Sequence, residues 1–264
     1  MSFFSVSHLA AGYGNGYVIK DVTFELDSAC MMGILGANGS GKSTMLKAIC
    51  GILPHEGSCR LEQTWLERLS VRQMAKLCSY IPQRSGISID ISVLDVVLMG
   101  FNPRLGLLEH PSKAMEESAL EALSQVGLGE KAHMNYTHLS EGQKQLCMIA
   151  RTLVAGSKLL LLDEPESALD FHHRYRTMSL LHNWVKQSES SALVTLHDPI
   201  LALNYCDQLL LLAGGEILGM IHPKTDPLET MEPLLRRIYG NISLRYATAR
   251  NGNRYLIMLN EDVI

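Results

Sequence analysis

The feature that most constrains this chain is a glycine-rich stretch of nine residues near its start: Gly36, Ala37, Asn38, Gly39, Ser40, Gly41, Lys42, Ser43 and Thr44. The apolar run Met31 to Leu35 predicts a buried strand before it, and apolar residues at helical spacing predict a helix after it. Strand, glycine-rich turn and helix together match the motif G-x-x-x-x-G-K-S/T, whose backbone N–H groups surround a polyphosphate at the positive end of a helix. The stretch therefore predicts a nucleoside triphosphate site, with Lys42 at the β and γ phosphates and the Ser43 hydroxyl on Mg²⁺.

A second apolar run ends in two carboxylates. Leu159 to Leu162 predicts a fully buried strand, and Asp163 and Glu164 follow it directly. Carboxylates at such a strand end project toward the phosphates of a bound nucleotide. Asp163 suits a water-mediated contact to Mg²⁺, and Glu164 suits a general base for an attacking water.

Three isolated side chains are further candidates. Gln83 follows the predicted strand Cys78 to Ile81, and His197 ends the predicted buried strand Ala192 to Leu196. Because that strand is expected beside the one that carries Glu164, we expect His197 to contact the γ-phosphate. Tyr13 lies in a predicted loop, Gly12 to Gly16, where its ring either stacks on adenine or is an ordinary turn residue.

The stretch Leu139 to Gln143 predicts a helix start, because Ser140 and Gln143 have the spacing of a capping box. Gly142 in the first turn destabilises a helix by about 1 kcal/mol relative to alanine. It also lets backbone N–H groups approach an anion closely, although the stretch could equally be a plain helix cap.

Composition and charge argue against several classes of protein and of site. The 264 residues carry 23 Lys and Arg against 27 Asp and Glu, so the net charge of −4 argues against a nucleic-acid partner. No run of 18 apolar residues predicts a membrane span, and no secretory signal is expected. The six cysteines form no CxxC pair, which favours buried free thiols over disulfides or a zinc site.

Other local patterns predict the remaining elements. We expect a turn at Pro54 to Gly57 before a short strand, and a type I′ turn at Asn251-Gly252 inside a terminal hairpin. The region from Arg84 to Gly156 has mostly helical spacing. Within it, the apolar irregular stretch Gly100 to Leu108 predicts either a partner surface or a loop folded back onto its own helices.

Together these motifs resemble those of the ATP-binding cassette ATPases, the nucleotide-binding subunits of ABC transporters, over at least Phe3 to Ile221. In the terms of that family, the motifs are Walker A (Gly36 to Thr44), Walker B (Leu159 to Glu164), the Q-loop glutamine (Gln83), the signature (Leu139 to Gln143), the D-loop (Ser167 to Asp170), the switch histidine (His197) and the adenine-stacking tyrosine (Tyr13). Within the family the chain most resembles the ATPases of bacterial importers for iron chelates, haem and cobalamin, by Val93 to Gly100, His197-Asp198-Pro199 and Ile238 to Gly240.

The resemblance implies an α/β fold: a P-loop NTPase core with a mixed sheet, an N-terminal antiparallel β subdomain and an inserted α-helical subdomain at about 84–157. The cassette would span residues 1–240, and residues 241–264 would form a β-hairpin packed on the same domain. The implied location is the cytoplasmic face of the inner membrane, as a peripheral subunit.

The resemblance also implies the site and the partners. ATP would lie between the Walker A loop of one copy and Ser140, Gly142 and Gln143 of a second copy in a head-to-tail dimer. Mg²⁺ would sit on Ser43 and Gln83, with Asp163 acting through water. Glu164 would be the base, His197 would hold the γ-phosphate, and Asp170 would belong to the D-loop. Transmembrane permease subunits would dock on the Ile91 to Leu108 stretch, and a substrate-binding protein would act indirectly.

Two departures from the family pattern stand out. Glu141 replaces the first glycine of the usual Leu-Ser-Gly-Gly-Gln signature, and a carboxylate there could slow closure of the dimer by repulsion. Glu166 replaces a common threonine, with no evident consequence. The alternative function is that of a soluble cassette ATPase in iron–sulfur cluster assembly or another non-transport role.

Overall fold

The computed structural model describes residues 2–14, 16–83, 86–106 and 108–262. Asn15 of the predicted loop, Arg84 at the start of the predicted helical region and Leu107 of the candidate docking stretch lie outside these residues. The strands are β1 Phe4–Tyr13, β2 Gly16–Leu26, β3 Met31–Leu35, β4 His55–Leu61, β5 Thr64–Trp65, β6 Cys78–Ile81, β7 Leu159–Asp163, β8 Ser191–Thr195, β9 Gln208–Ala213, β10 Glu216–Ile221, β11 Ile242–Thr248 and β12 Arg254–Asn260. The α-helices are α1 Lys42–Ile49, α2 Val71–Leu77, α3 Val93–Leu98, α4 Lys113–Gln125, α5 Glu141–Ala155, α6 Phe171–Ser188, α7 Pro199–Tyr205 and α8 Leu228–Tyr239.

The central sheet has the strand order β10-β9-β3-β8-β7-β6. Its neighbours pair in parallel except β10, which runs antiparallel to β9. A second, antiparallel sheet has the order β2-β1-β4-β5, and β11 pairs with β12 as a hairpin. The mixed central sheet and the N-terminal antiparallel sheet confirm the predicted α/β class.

The central strands are buried on both faces, which explains their uninterrupted apolar sequences. In β7, Leu160 and Leu162 belong to a core shared with the helical region, whereas Leu159 and Leu161 belong to a core shared with the antiparallel sheet and α1. The side chains of β3 divide between the same two cores. The carboxyl ends of β3, β7 and β8 therefore lie side by side at one edge of the sheet, where Gly36, Glu164 and His197 follow them.

Helices α3, α4 and α5 pack together in the inserted region, each begun by a serine N-cap. The sequence left open whether the Gly100–Leu108 stretch is a partner surface or a loop folded back onto its own helices, and its two ends differ in this respect. Phe101 is buried, and a Cβ on Gly100 would lie 2.4 Å from the Arg151 carbonyl oxygen of α5, so this end folds back onto the helices. Leu108 at the other end is 90% exposed.

One predicted loop is shorter than expected, because strand pairing reaches Tyr13 on one side of the turn residue Gly14 and Gly16 on the other. β1 extends to Tyr13 and β2 begins at Gly16, so the predicted loop Gly12–Gly16 is mostly strand. A Cβ on Gly12 would lie 1.8 Å from the Gly16 carbonyl oxygen, so the close pairing of the two strands requires glycine there.

Two predicted turns also differ. β4 begins at His55, because His55 and Glu56 pair with β1 and Gly57, at φ 84, lies within the strand beside a register shift. The terminal hairpin has no type I′ turn. Gly252 has φ 85, but Asn251 is not among the described residues with positive φ, and the Gly252 N–H donates to Ala249 O at 2.9 Å within a longer loop.

The terminal hairpin β11–β12 packs on α7 and α8. Asn204 of α7 exchanges two hydrogen bonds with the main chain of Leu256, at 2.8 and 2.9 Å. On the other side, Glu232 of α8 accepts the Leu244 N–H at 2.7 Å. Among the described residues, no helix has the length and apolarity that crossing a membrane would require.

Candidate functional site

The loop between β3 and α1 needs glycine at two positions for lack of space. Gly41, the N-cap of α1, has φ 103, and a Cβ there would lie 2.4 Å from Ile19 Cδ1. A Cβ on Gly36 would lie 2.3 Å from the Leu212 carbonyl oxygen. The glycines therefore let the loop follow the sheet edge closely while its N–H groups surround the start of α1.

The polar side chains of this loop turn inward. Lys42 is buried, and its Nζ donates to the carbonyl oxygens of Gly36 at 2.8 Å and Ala37 at 3.3 Å. Burial lowers the pKa of Lys42, against the opposing effect of nearby carboxylates led by Glu164. The Ser40 hydroxyl is buried and has no hydrogen-bond partner among the described residues. An unpartnered donor and a buried cation in one glycine cradle fit the oxygen atoms of a polyphosphate.

Asp163, at the end of β7, accepts hydrogen bonds from three hydroxyl groups. Ser43 Oγ and Thr195 Oγ1 both donate to Asp163 Oδ1 at 2.8 Å, and the Tyr80 hydroxyl donates to Oδ2 at 3.3 Å. Burial and the Asp163 charge raise the pKa of Tyr80, so its hydroxyl stays protonated. Ser43 and Asp163 offer the hard oxygen ligands that Mg²⁺ prefers, so the residues present fit this ion.

Glu164 contacts two other residues that the sequence predicted for the site, His197 and Gln83. It is buried and has φ 51, a left-handed conformation that aims its side chain out of the strand direction. His197 Nε2 lies 2.6 Å from Glu164 Oε1, and Gln83 Nε2 donates to Glu164 Oε2. Two residues that the sequence predicted separately therefore both contact Glu164. Thr195 Oγ1 also accepts the Glu164 N–H at 2.9 Å.

Sequence reasoning missed Thr195 and Tyr80, and it assigned no role to Glu166. Thr195 could have been found as the polar last residue of a buried strand whose three central residues are apolar. Glu166 is only 2% exposed, and its Oε1 accepts the main-chain N–H of His197 at 3.0 Å. Burial raises the pKa of Glu166 to about 7.

The predicted signature lies at the N-terminus of α5. Ser140 and Gln143 form the predicted capping box, with Ser140 Oγ accepting the Gln143 N–H at 3.3 Å. Gly142 has a structural need as well, because a Cβ there would lie 2.8 Å from the Ala168 carbonyl oxygen. Glu141 is exposed and pairs with Lys144 at 2.7 Å, which offsets its charge. Within the described residues, no hydrogen bond joins this helix end to the phosphate loop of the same chain.

Tyr13 and Asp170 lie at the edges of the site. Tyr13 is 56% exposed and lines a cavity of about 550 Å³ together with Tyr17 and Glu56. Asp170 is the N-cap of α6 and accepts the His173 N–H at 2.9 Å, which lowers the pKa of Asp170. Neither position conflicts with the predicted role.

A second group of possible metal ligands lies in the antiparallel sheet. Ligand atoms of His55, Cys59 and Glu67 lie within 4.8 Å of one another. The Glu67 carboxylate already accepts the Cys59 N–H, and burial raises the pKa of the Cys59 thiol. All six cysteines are free, five of them buried and Cys50 half-buried.

Comparison with known proteins gives one family. A family model described as ABC transporter matches residues 19–167. The chain is 34% identical over 242 residues to the hemin import ATP-binding protein HmuV of Bordetella pertussis, covering 88% of this chain and 90% of that protein. It is 33% identical over 240 residues to the manganese transport system ATP-binding protein MntB of Bacillus subtilis, covering 90% of this chain and 93% of that protein.

A solved ABC transporter described as of the metal-chelate type, in an inward-facing conformation, has the same fold. It superposes with a TM-score of 0.82 and 26% identity, over 100% of both chains. With this fold, the family match and a phosphate loop beside an acidic strand end, the chain belongs to the ABC transporter family, as one of its ATP-binding, ATP-hydrolysing proteins.

Proposed function

We propose that this chain is the ATP-hydrolysing subunit of an importer for a metal chelate or haem. The contact of Glu164 with both His197 and Gln83, next to the phosphate loop, is the observation that carries the hydrolytic part. The names of the relatives, hemin import and manganese transport, support the cargo class. Iron–siderophore and cobalamin-type cargo remain within the proposal, since cargo contacts belong to other subunits.

The proposed chemistry follows from the residues that surround the sheet edge. The loop Gly36 to Thr44 holds the phosphates through its N–H groups and Lys42, and Tyr13 stacks on the base. Mg²⁺ would be held by Ser43 and Gln83, with Asp163 acting through water, and would supply charge neutralisation at the phosphates. Glu164 accepts the proton of the attacking water, and His197 orients the γ-phosphate.

The proposed cycle requires Glu164 to exchange partners. In the present geometry each of its oxygens already has one partner, His197 on Oε1 and Gln83 on Oε2, so an attacking water would share the carboxylate with both side chains. Nucleotide binding would draw Gln83 toward the metal and His197 toward the γ-phosphate. The carboxylate would then face the water, so the site becomes competent only when ATP is bound.

A second copy completes the proposed site. Ser140, Gly142 and Gln143 form a helix N-terminus with no hydrogen bond to the phosphate loop of their own chain among the described residues. Such a terminus binds anions, so it would close over the γ-phosphate of a partner in a head-to-tail dimer, with Asp170 at the same junction. Permease subunits would contact the stretch from Ile91 to Leu108, on the cytoplasmic face of the inner membrane.

The test is the variant Glu164→Gln, which keeps the shape of the side chain but cannot accept the proton. We expect ATP turnover to fall at least a hundredfold while ATP is retained and a stable dimer accumulates, measured by light scattering during size-exclusion chromatography. The matched control is Glu62→Gln, at an exposed carboxylate paired with Lys158, which should leave turnover unchanged. Full turnover by Glu164→Gln would remove Glu164 as the base.

The alternative, a soluble cassette in iron–sulfur cluster assembly, is distinguished by partners. Affinity purification of the full chain from its own organism in mild detergent should recover a protein with several membrane spans. Recovery of a soluble assembly complex in its place would reject the importer and leave the ATPase assignment intact.

A further inference from the structure

Glu166 is a buried carboxyl group without a matching cation. It is 2% exposed, and among the described residues no Lys, Arg or His side chain lies within ion-pair distance of it. The Arg174 guanidinium acts on Glu166 only electrostatically. Its Nε–H donates to the Leu169 carbonyl oxygen at 2.7 Å. A carboxyl group buried in this way lowers stability, so its presence calls for a role outside stability.

The two oxygens of Glu166 have different surroundings. Oε1 accepts the main-chain N–H of His197 at 3.0 Å. Oε2 is buried and has no hydrogen-bond partner among the described residues. The hydrogen bond from His197 is therefore the contact by which this side chain reaches beyond its own turn.

The hydrogen bond between His197 and Glu166 lies just beyond the end of the central sheet. The pairing of β7 with β8 stops at Asp163 and Thr195, and Leu196 still donates its N–H to Ile34 of β3 at 3.2 Å. His197 is the first residue beyond the sheet, and its N–H has no strand to pair with. Glu166 supplies the missing acceptor from the neighbouring turn.

The turn that carries Glu166 is itself fixed by main-chain bonds. The Ser167 N–H donates to Glu164 O and the Leu169 N–H donates to Glu166 O, both at 3.1 Å. Glu164 and Glu166 therefore belong to one tightly bonded turn, and each holds a different part of His197: Glu164 contacts the ring and Glu166 holds the main chain.

We propose that Glu166 is a positioning residue, which fixes the main chain of His197 so that the imidazole stays in register with Glu164. The proposal rests on the hydrolytic function proposed above and assigns a role to the residue that replaces the common threonine. Loss of the acceptor frees the loop after β8 and lets the ring leave the reacting phosphate. The chemical step then slows, while ATP binding through the phosphate loop is unaffected.

The test compares Glu166→Leu, which removes the acceptor, with Glu166→Gln, which keeps it. On the full-length chain we expect Glu166→Leu to lower kcat at least fivefold with KM for MgATP unchanged, the size expected for one lost hydrogen bond. Glu166→Gln should restore kcat to within twofold of the wild type. Thr177→Val, at an equally buried residue of α6, controls for general loss of a buried polar group.

A second readout does not depend on activity. In chain labelled with ¹⁵N-histidine, the His197 amide proton should shift upfield in Glu166→Leu and stay near its wild-type position in Glu166→Gln. If Glu166→Leu does not fold, Glu166→Thr serves in its place, because the shorter side chain cannot span the same distance.

The outcomes separate this inference from the proposed function. A wild-type chain that hydrolyses no ATP would reject the function itself. Wild-type turnover combined with an unchanged kcat and an unshifted His197 amide in Glu166→Leu would reject the positioning role alone. Equal losses in the Leu and Gln variants, with a raised KM, would also reject it, because they indicate a general packing defect.

Discussion

Three carboxyl groups follow one another at the end of β7, and their surroundings separate their roles. Asp163 accepts from three hydroxyl groups, Glu164 contacts His197 and Gln83, and Glu166 accepts from one main-chain N–H. Each donor to a carboxylate favours its charged form, whereas burial without donors favours the neutral form. Burial raises the pKa of Glu166 to about 7, although the His197 N–H opposes that rise. Asp163 is thus suited to a cation and Glu166 to a neutral structural contact.

This raised pKa predicts a pH-dependent stability. The pKa of Glu166 rises from 4.5 in the unfolded chain to about 7 in the folded one, so the folded state binds the proton more tightly between these values. Its contribution is therefore fully present below pH 4.5 and is lost as the pH rises toward 7. We expect the free energy of unfolding, relative to Glu166→Gln, to fall by about 3 kcal/mol between pH 4.5 and pH 7.5.

Urea unfolding of both proteins at several pH values in that range measures this difference. The Gln variant cancels the contributions of all other titrating groups, since it differs only at Glu166. A difference that does not change with pH would show that Glu166 ionises normally in the folded protein.

At the scale of elements, the sequence predicted what local patterns determine. The Ser140 capping box and the buried strand β7 both form as predicted, because each depends on neighbours within a few residues. The errors fall at Gly12–Gly16, where β1 and β2 pair as far as Tyr13 and Gly16, and at Pro54–Gly57, where His55 and Glu56 pair with the distant strand β1. Gly12 allows the close strand approach and Gly57 lies beside a register shift, and a single-sequence pattern does not distinguish either role from a turn.

The same limit applies to the candidate site. The phosphate loop and the acidic strand end were predictable, because each is one contiguous motif. The hydroxyl of Thr195 and the carboxyl of Glu166 were not, because their partners, Asp163 and His197, lie 32 and 31 positions away in sequence. Polar residues in buried strands are the one sequence signal that would have singled out Thr195.

The start of α5 yields a prediction at this scale. Gly142→Ala should stabilise an isolated helix by about 1 kcal/mol. Here its Cβ would lie 2.8 Å from the Ala168 carbonyl oxygen, so the helix start and the turn after β7 must separate. We expect ATP turnover to fall at least tenfold, with no gain in the free energy of unfolding.

Steady-state ATPase assays and urea unfolding test this expectation. The control is Glu141→Ala, the adjacent exposed position, which changes helix propensity without meeting the turn. A stabilised Gly142→Ala variant with full turnover would show that the helix start and the turn are not in close contact.

At the scale of the whole molecule, single polar side chains join elements that are distant in sequence. Asp207, at the start of β9, accepts the Met31 N–H of β3 at 2.9 Å and pairs with Lys186 of α6 at 2.9 Å and with Lys224 at 2.8 Å. Burial alone would raise the pKa of Asp207, but hydrogen bonds led by that of His182 outweigh it and lower the pKa. Asp207 therefore connects β3, which leads into the phosphate loop, with α6 and with the turn after β10.

Asn204 is the polar side chain that joins the terminal hairpin to α7. Its amide donates to Leu256 O at 2.8 Å and accepts the Leu256 N–H at 2.9 Å, a pairing that imitates a strand partner for β12. Because α7 follows His197 directly, this contact also links the hairpin to the end of the sheet that carries the site. The hairpin otherwise depends on Glu232 and Arg236 of α8, which bond to Leu244 and Ile242.

We therefore expect Asn204→Ala to release the hairpin locally. Three half-buried hydrogen bonds are lost, two to Leu256 and one to Ile200 O, so the free energy of unfolding should fall by about 1–3 kcal/mol. Hydrogen exchange should accelerate in residues 242–260 while β3, β7 and β8 keep their protection, and ATP turnover should stay within twofold because no site residue moves. The matched control is Asn241→Ala, whose amide bonds, within the described part of the chain, only the exposed Asp262 carboxylate at 3.0 Å; this variant should leave exchange unchanged. Faster exchange throughout the central sheet of Asn204→Ala would instead show that the hairpin and the site unfold as one cooperative unit. Unchanged exchange in residues 242–260 would show that Asn204 does not anchor the hairpin.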